Sequence, residues 1–306
     1  MTVQVPTLRR TLELERPIDL WGTIGPLVFG QDPSWRRLRN GYAKASRTPQ
    51  GIGVEVVTVS AADGVVAGEF HGPGGQWLAT RLGDLLGADD DVSGFDPPPP
   101  LDATWRRRPG MRVPKTGLLF EALVPVVLSQ KVTGVEAFAS YRRLVRWHGR
   151  PVGFGPFPEL FVPPSPAGWA AVPQWDWHRA GVGPQRARTI VGAAPRAESL
   201  ERLVDAPLPA ARRALGSLAG IGGWTVAEVA QRALGDADAV SVGDFHVGRN
   251  VVYALTGRTD GGDDEMLALI AAFAPHRHRI QRLVEVARLA PPRRGPRYRG
   301  LDFRGR

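Results

Sequence analysis

Cysteine is absent from this sequence of 306 residues. The chain therefore has no disulfide, no thiolate ligand for zinc or an iron–sulfur cluster, and no thiol nucleophile. Long apolar runs are absent too, because the longest, Ala122 to Leu128, is far shorter than a membrane span and contains Pro125. The first ten residues lack the apolar core of a signal peptide. These absences predict a soluble cytoplasmic protein.

Acidic residues are too few to balance the basic ones. The chain has 39 lysines and arginines against 30 aspartates and glutamates, a net charge of +9 and a pI near 10.8. A clustered basic surface predicts a polyanionic partner, bound through phosphate contacts that weaken as salt rises. The arginine clusters are Arg106 to Arg108 and then Arg293, Arg294, Arg297 and Arg299.

The first hundred residues carry strand patterns. Thr7 to Leu14 and Val54 to Ser60 alternate or are rich in β-branched residues, and Ala61 to Gly64 joins the second of them to Val65–Phe70 as a hairpin. We expect a small antiparallel sheet. Helices are predicted between and after these strands, at Leu20 to Leu27, Trp35 to Leu38 and Gln76 to Leu86.

The chain after residue 97 has a different composition. Asp89 to Asp91 is interpreted as a solvated loop, and Pro97 to Pro100 as a stiff linker. Arg106 to Arg108, Arg112 and Lys115 then either follow a DNA backbone or form a solvated charge run. The predicted fold is a mostly α-helical α+β chain: a sheet-and-helix domain (1–97), a basic linker (98–116), a helical domain (117–290) and a basic, disordered tail (291–306).

A glycine-rich turn lies between two helical patterns in Leu218 to Ala227, which reads Leu-Ala-Gly-Ile-Gly-Gly-Trp-Thr-Val-Ala. This pattern predicts a helix-hairpin-helix. Gly220 and Gly222 provide backbone angles that a Cβ forbids and let a partner approach the main chain. Free N–H groups at the second helix then form a phosphate site that does not depend on base sequence. An ordinary helix corner is the alternative interpretation.

Asp244 follows downstream, in Ser-Val-Gly-Asp-Phe-His-Val, and is predicted to cap a helix over Phe245 to Leu255. Hairpin and aspartate together resemble the helix-hairpin-helix DNA glycosylase superfamily, and within it the bacterial 3-methyladenine DNA glycosylase II family. Ala219 replaces the proline of the family's hairpin. Three further stretches are similar to that family: Phe120 to Gly149, Gly181 to Ala194 and Pro275 to Ala287.

The resemblance implies excision of an alkylated purine from duplex DNA in base excision repair. The enzyme flips the damaged nucleotide out of the duplex, and Asp244 is the catalytic anion that stabilises the cationic sugar. No cofactor or catalytic metal is expected, although hairpin carbonyls can hold a monovalent cation, and we expect a monomer. The absence of cysteine removes the iron–sulfur cluster of the endonuclease III and adenine-mispair branches. The hairpin residues expected to bind DNA phosphate are Gly220, Ile221, Gly222, Gly223 and Thr225.

The position just before the motif's threonine separates two subclasses of the superfamily. Members that also nick the backbone have a lysine there that forms a Schiff base, whereas this chain has Trp224. The resemblance therefore implies a monofunctional glycosylase, with Trp224 lining the base pocket; a core position is the alternative. Glu228 and His276 stand where the best-known type of the family has aromatic pocket residues. They either face solvent or contact a different, neutral lesion.

A Ser-Gln-Lys turn separates two helical patterns, and Thr133 with Glu136 predicts a capping box at the second helix. In the family this turn inserts into the duplex, which assigns Gln130 and Lys131 to the duplex-inserting turn. Lys131 departs from the apolar or amide residue usual there. Two rival functions remain at this stage: a non-catalytic DNA-binding module, for which the anion of Asp244 is unhelpful, and an α-helical scaffold without DNA affinity.

Overall fold

An antiparallel five-stranded sheet begins the molecule in the computed structural model, which describes residues 7–60 and 64–292. The strand order is β1-β5-β4-β3-β2. The α+β fold predicted from the sequence is confirmed, although residues 61–63 of the predicted hairpin and residues 293–306 of the predicted tail lie outside the described residues. The strands are β1 (Thr7–Leu12), β2 (Trp35–Leu38), β3 (Gly41–Thr48), β4 (Gly51–Val59) and β5 (Val66–His71).

The predicted helix over Trp35 to Leu38 is wrong, because this segment is strand β2. It pairs with β3, and the Trp35 ring lies 5.1 Å from the ring of Tyr42. Pairing with a distant strand and packing on its side chains override a weak local helical pattern. The predicted helix over Gln76 to Leu86 is divided in two. The helices against this sheet are α1 (Leu20–Ile24), α2 (Gly75–Thr80) and α3 (Leu82–Leu85).

Residues 98–116, which the sequence presents as a linker, contain helix α4 (Pro99–Arg107). Leu101 on α4 is fully buried in a core formed with the last helices of the chain. Arg108 pairs with Asp19 at 2.6 Å, and Arg112 is buried, with its Nη1 donating to the Gly87 carbonyl. The side chains of these two arginines therefore fasten the segment to the first domain. For Arg112 both predicted environments, a DNA backbone and a solvated charge run, are wrong, because its guanidinium is buried against backbone carbonyls.

The remaining chain is almost entirely helical. The central helix is α5, whose Leu119, Leu123 and Leu128 are fully buried. Glu201 caps its start, because the carboxylate accepts from the backbone N–H groups of Leu119 and Phe120 at 2.8 and 2.9 Å. The helices of the first half are α5 (Leu119–Leu128), α6 (Gly134–His148), α7 (Pro166–Ala170), α8 (Gln174–Ala180) and α9 (Pro184–Ala193).

The second half of the helical region contains the glycine hairpin and the aspartate loop. A two-stranded ribbon, β6 (Arg150–Pro151) with β7 (Phe161–Val162), lies between α6 and α7 in the chain and packs against the sheet. No helix among residues 7–60 and 64–292 is long and apolar enough to cross a membrane. The helices are α10 (Ala197–Glu201), α11 (Leu208–Gly216), α12 (Gly223–Val229), α13 (Val247–Thr256), α14 (Asp263–Ile270) and α15 (Arg277–Val286).

A buried ion pair joins the first domain to the last helix. Arg279 on α15 donates to both carboxylate oxygens of Asp90, and both side chains are almost fully buried. The prediction of a solvated loop at Asp89 to Asp91 is therefore wrong for Asp90. Adjacent carboxylates do repel one another, but here an arginine nearly 190 residues away compensates one of them.

Candidate active site

The predicted hairpin joins α11 to α12, and its first glycine is required by geometry. Gly220 has φ +83°, and a Cβ there would lie 2.1 Å from Oγ1 of Thr189 on α9. Gly222 has φ −96°, an angle open to any residue, and a Cβ there would meet nothing within 4 Å. The conformational requirement predicted at Gly220 is thus confirmed, and that at Gly222 is wrong. Gly222 instead leaves open space in front of the main chain.

The hairpin residues divide into an exposed set and a buried set. Gly220, Gly222 and Gly223 are exposed, and no side chain caps the start of α12. Ile221 and Thr225 are buried and pack inward. The exposed glycines can therefore present backbone N–H groups to a phosphate, whereas the Thr225 side chain faces the protein.

Gln130 docks the turn after α5 onto this hairpin. Its amide Nε2 donates to the Gly220 carbonyl and to Oγ1 of Thr225, both at 3.0 Å. The next residue, Lys131, is exposed and has φ +54°, a left-handed conformation that costs a non-glycine residue about 1 kcal/mol. A strained, exposed residue beside the hairpin is compatible with insertion into a duplex, which stays a prediction. The predicted capping box between Thr133 and Glu136 is confirmed.

The carboxylate of Asp244 is held by three N–H donors. Oδ1 accepts from the backbone N–H groups of His246 and Val247 at 2.8 and 3.1 Å. Oδ2 accepts from the indole Nε1 of Trp224 at 3.1 Å. Helix α13 begins at Val247 rather than at Phe245, and the residue before it is His246, so the predicted N-cap position of Asp244 is wrong. The Asp244 carboxylate nevertheless accepts from two backbone N–H groups at the start of the helix, as predicted. The side chain is only partly buried, so this oriented anion remains open to a partner.

Trp224 lies in the first turn of α12, half-buried against the main core. Its N–H bond to Asp244 connects the hairpin helix directly to the loop before α13. The sequence predicts Trp224 as a wall of the base pocket and does not predict this bond, because the two residues are 20 positions apart. The indole therefore orients the carboxylate, and its place in the wall of a base pocket stays a prediction.

The loop that carries Asp244 is anchored from two other helices. The backbone N–H of Gly243 donates to Oδ2 of Asp263 at 2.6 Å, and that of Ser241 donates to Oε1 of Gln281 at 3.2 Å. Sequence reasoning missed both anchors. No local pattern reveals them, since each contact joins residues at least 20 positions apart.

Glu228, predicted in the base pocket, is engaged in a nearly buried network. One of its carboxylate oxygens accepts from Oγ of Ser241, and the other accepts from Nη1 of Arg232 at 2.7 Å. Arg232 in turn donates to the Pro26 carbonyl at 3.1 Å. Glu228 thus supports the aspartate loop from α12, and contact with a base would require this network to open.

His276 is similarly occupied. It is buried, its Nδ1 accepts from Nε of Arg279 at 3.2 Å, and its Nε2 lies 3.1 Å from the Ser93 carbonyl. Since Nδ1 accepts, the proton must be on Nε2, which donates to that carbonyl. Phe95 packs against the ring edge-on at 5.4 Å. A pocket role for His276 stays a prediction, and it would need a side chain that is already fully bonded.

Within residues 7–60 and 64–292 no group of three or more His, Asp or Glu side chains is placed to hold a metal ion. A monovalent cation at the hairpin stays a prediction. Such a cation would share the Gly220 carbonyl with Nε2 of Gln130.

Comparison with known proteins bears on this arrangement. No protein-family model matches the chain. Over 257 residues, 80% of this chain and 50% of the relative, the chain is 30% identical to the probable bifunctional transcriptional activator/DNA repair enzyme AlkA of Mycobacterium tuberculosis, in two strains. The chain thus spans about half the length of the curated relatives it matches.

Solved structures agree on the fold. The 3-methyladenine DNA glycosylase from Archaeoglobus fulgidus matches with a TM-score of 0.72 at 19% identity, covering 91% of this chain and 98% of that one. The 8-oxoguanine glycosylase/lyase of Clostridium acetobutylicum, in complex with double-stranded DNA, matches with a TM-score of 0.68 at 12% identity, covering 94% and 97%. In sequence and in fold the chain is therefore similar to the helix-hairpin-helix DNA glycosylases, and the resemblance indicated by its motifs is confirmed.

Proposed function

We propose that this protein is a monofunctional DNA glycosylase that excises alkylated purines of the 3-methyladenine type from duplex DNA and leaves an abasic site. The observation that carries the proposal is the Asp244 carboxylate, held by three N–H donors and still partly exposed. An anion fixed in advance stabilises developing positive charge without reorganisation at the moment of reaction.

The reaction begins with the damaged nucleotide outside the base stack, since the glycosidic bond is inaccessible within a duplex. Alkylation at N3 or N7 makes the purine cationic, so the base leaves without a general acid. The electron pair of the broken bond goes to the base, and the sugar gains oxocarbenium character opposite Asp244. Water then bonds to C1′ and loses a proton, which completes the hydrolysis.

Trp224 supports hydrolysis without backbone nicking. Nicking in the superfamily needs an amine at this position that attacks the sugar, and an indole cannot form a Schiff base. The Trp224 N–H is moreover bonded to Asp244. A glycosylase/lyase shares this fold, so strand nicking has to be measured separately from base release.

The engaged side chains at the predicted pocket favour an alkylated purine over a neutral lesion. A neutral base needs a free hydrogen-bonding or proton-donating group, but Glu228 is bonded to Arg232 and Ser241, and His276 is bonded through both ring nitrogens. A cationic base needs only an aromatic face and a nearby anion. Trp224 and Asp244 supply both groups.

DNA contact is assigned to the exposed glycines and the turn beside them. Gly222 and Gly223 present main chain with open space in front, so a phosphate can approach the backbone N–H groups closely. Gln130 holds the Lys131 turn against the same hairpin, which supports the assignment of this turn to insertion into the duplex. These contacts do not depend on base sequence, which suits an enzyme whose lesions occur in any sequence context.

The test is release of methylated purines from alkylated duplex DNA, with a separate assay for strand nicking. Wild type is expected to release base without nicking, and Asp244→Asn to bind DNA but release little. Nicking by wild type would contradict the monofunctional assignment. Binding without base release from a wide lesion panel would favour the non-catalytic DNA-binding module.

A further inference from the structure

Phe245, directly after Asp244, presents an aromatic ring to solvent. It is 82% exposed, the highest value among the large apolar side chains of residues 7–60 and 64–292. Single exposed apolar residues are common on soluble proteins and need no explanation by themselves. This one adjoins the carboxylate to which the proposed reaction is assigned, so its surroundings bear on what it contacts.

The backbone on both sides of Phe245 is fixed. Asp244 accepts from the N–H groups of His246 and Val247, and Asp263 holds Gly243 on the other side. The Phe245 ring also lies edge-on to the His246 ring, with centroids 4.9 Å apart and planes at 87°. His246 is itself exposed. The ring is therefore presented outward from an anchored loop, beside an imidazole that can contact a phosphate.

Distance along the chain limits what the ring can reach. Adjacent Cα atoms are about 3.8 Å apart, and successive nucleotides of a duplex strand rise about 3.4 Å. With Asp244 at the sugar of the flipped nucleotide, the next side chain on the same anchored loop is within reach of an adjacent nucleotide. Extrusion of the damaged base leaves the neighbouring base with an uncovered face.

We propose that Phe245 is a positioning residue that stacks on the base next to the flipped nucleotide and so holds the extruded sugar against Asp244. This inference rests on the proposed glycosylase function. Aromatic stacking on a base does not depend on sequence, which suits a repair enzyme. The contact exists only once a base face is uncovered, so it favours DNA with an extruded or missing base over intact duplex.

The test measures binding in the Asp244→Asn background, so that no substrate is consumed. Affinity is compared for an undamaged duplex and for the same duplex with a tetrahydrofuran abasic-site analogue. We expect Phe245→Ala to weaken binding to the analogue about 10-fold, the range of one lost base–aromatic stack, with little change for the undamaged duplex. Phe245→Tyr, which keeps the ring, should restore the preference. Trp175→Ala is the control, because Trp175 on α8 is 66% exposed.

The outcomes separate this inference from the proposed function. A parent protein that prefers the analogue, with Phe245→Ala retaining that preference in full, overturns the stacking role and leaves the glycosylase proposal intact. Equal weakening on both duplexes also overturns it, since that marks a general DNA contact. A parent with no preference for the analogue, together with a wild type that releases no base, overturns both. Thermal unfolding should be unchanged in Phe245→Ala, because the ring is exposed.

Discussion

The indole Nε1 of Trp224 donates a hydrogen bond to Oδ2 of Asp244 at 3.1 Å, which joins the start of the hairpin helix α12 to the loop before α13. The residue at the position of the lysine in nicking members of the superfamily thus orients the carboxylate. In the proposed mechanism, this one rigid side chain would link phosphate contact at the hairpin to charge stabilisation at the sugar. A shift of the hairpin would also shift the anion.

Trp224→Phe isolates this hydrogen bond, because it keeps an aromatic ring and removes only the N–H. A hydrogen bond to a charged group contributes about 1.5–3 kcal/mol, so we expect single-turnover base release to fall about 10-fold or more. DNA affinity should change little. Equal rates for Trp224→Phe and wild type would show that the two backbone N–H groups orient Asp244 without help.

Asp263→Ala tests the anchor of the aspartate loop. The change frees the Gly243 N–H, which now donates to Asp263 at 2.6 Å, and lets Asp244 move from the sugar. Because small misplacements of a catalytic group are costly, we expect kcat to fall about 10-fold with a smaller change in KM. Asp264→Ala, one residue along on the exposed side of α14, is the matched control and should behave as wild type. A loss of the same size in the control would point to charge alone.

The hairpin glycines offer a matched pair of substitutions. Gly220→Ala places a Cβ 2.1 Å from Thr189 Oγ1 at a φ of +83°, so the free energy of unfolding should fall by more than about 1 kcal/mol. Gly222→Ala enters open space at an ordinary φ and should unfold like wild type. If phosphate approaches there, Gly222→Ala should nevertheless bind duplex DNA more weakly. Full affinity in Gly222→Ala would argue against close approach at this glycine.

The stability of the first domain should depend on pH through Glu55, which is buried on β4. Burial raises the pKa of Glu55 from an ordinary value of 4.5 to about 7, although Lys44 and the Tyr42 hydroxyl act in the opposite direction. The pKa of Glu55 is higher in the folded protein than in the unfolded chain. Its contribution to the free energy of unfolding is therefore complete below pH 4.5. This contribution is lost as pH rises from 4.5 towards 7. Over that range Glu55 ionises only in the unfolded chain, so the free energy of unfolding falls by about 1.4 kcal/mol per pH unit.

Glu55→Gln should remove this decline, since the amide does not titrate. Urea unfolding at pH 5 and pH 7 measures the free energy of unfolding at each pH. This free energy should fall more between the two pH values in the wild type than in the variant. A decline remains in the variant because burial also raises the pKa of Asp32 to about 6 and that of Glu201 to about 7. The same decline in both proteins would show that Glu55 ionises in the folded state as readily as in the unfolded chain.

The features that sequence predicted correctly rest on short patterns. Gly220 was assigned from a turn that only glycine permits, and the Thr133 capping box from two residues three apart. The backbone N–H groups that donate to Asp244 belong to residues only two and three positions further along. In each case the partners are close neighbours in the chain, so local physical chemistry determines the geometry.

The features that sequence missed depend on distant partners. A run of three adjacent carboxylates predicts a solvated loop at Asp90, but its partner Arg279 belongs to the last helix and cannot be seen locally. Trp35 was assigned to a helix because its pairing with β3 cannot be read locally. Glu228 was treated as a free pocket residue, but tertiary packing brings Ser241 to its carboxylate. Such contacts are set by the fold as a whole.

The most direct measurement of the central claim is single-turnover release of 3-methyladenine-type bases by wild type and Asp244→Asn. Asparagine keeps the shape and an oxygen acceptor but loses the negative charge. We expect wild type to release base without nicking, and the variant to bind DNA while releasing base about 100-fold more slowly, the loss typical when one preorganised electrostatic group is removed. Release by Asp244→Asn at the wild-type rate would contradict the assignment of Asp244 as the catalytic anion.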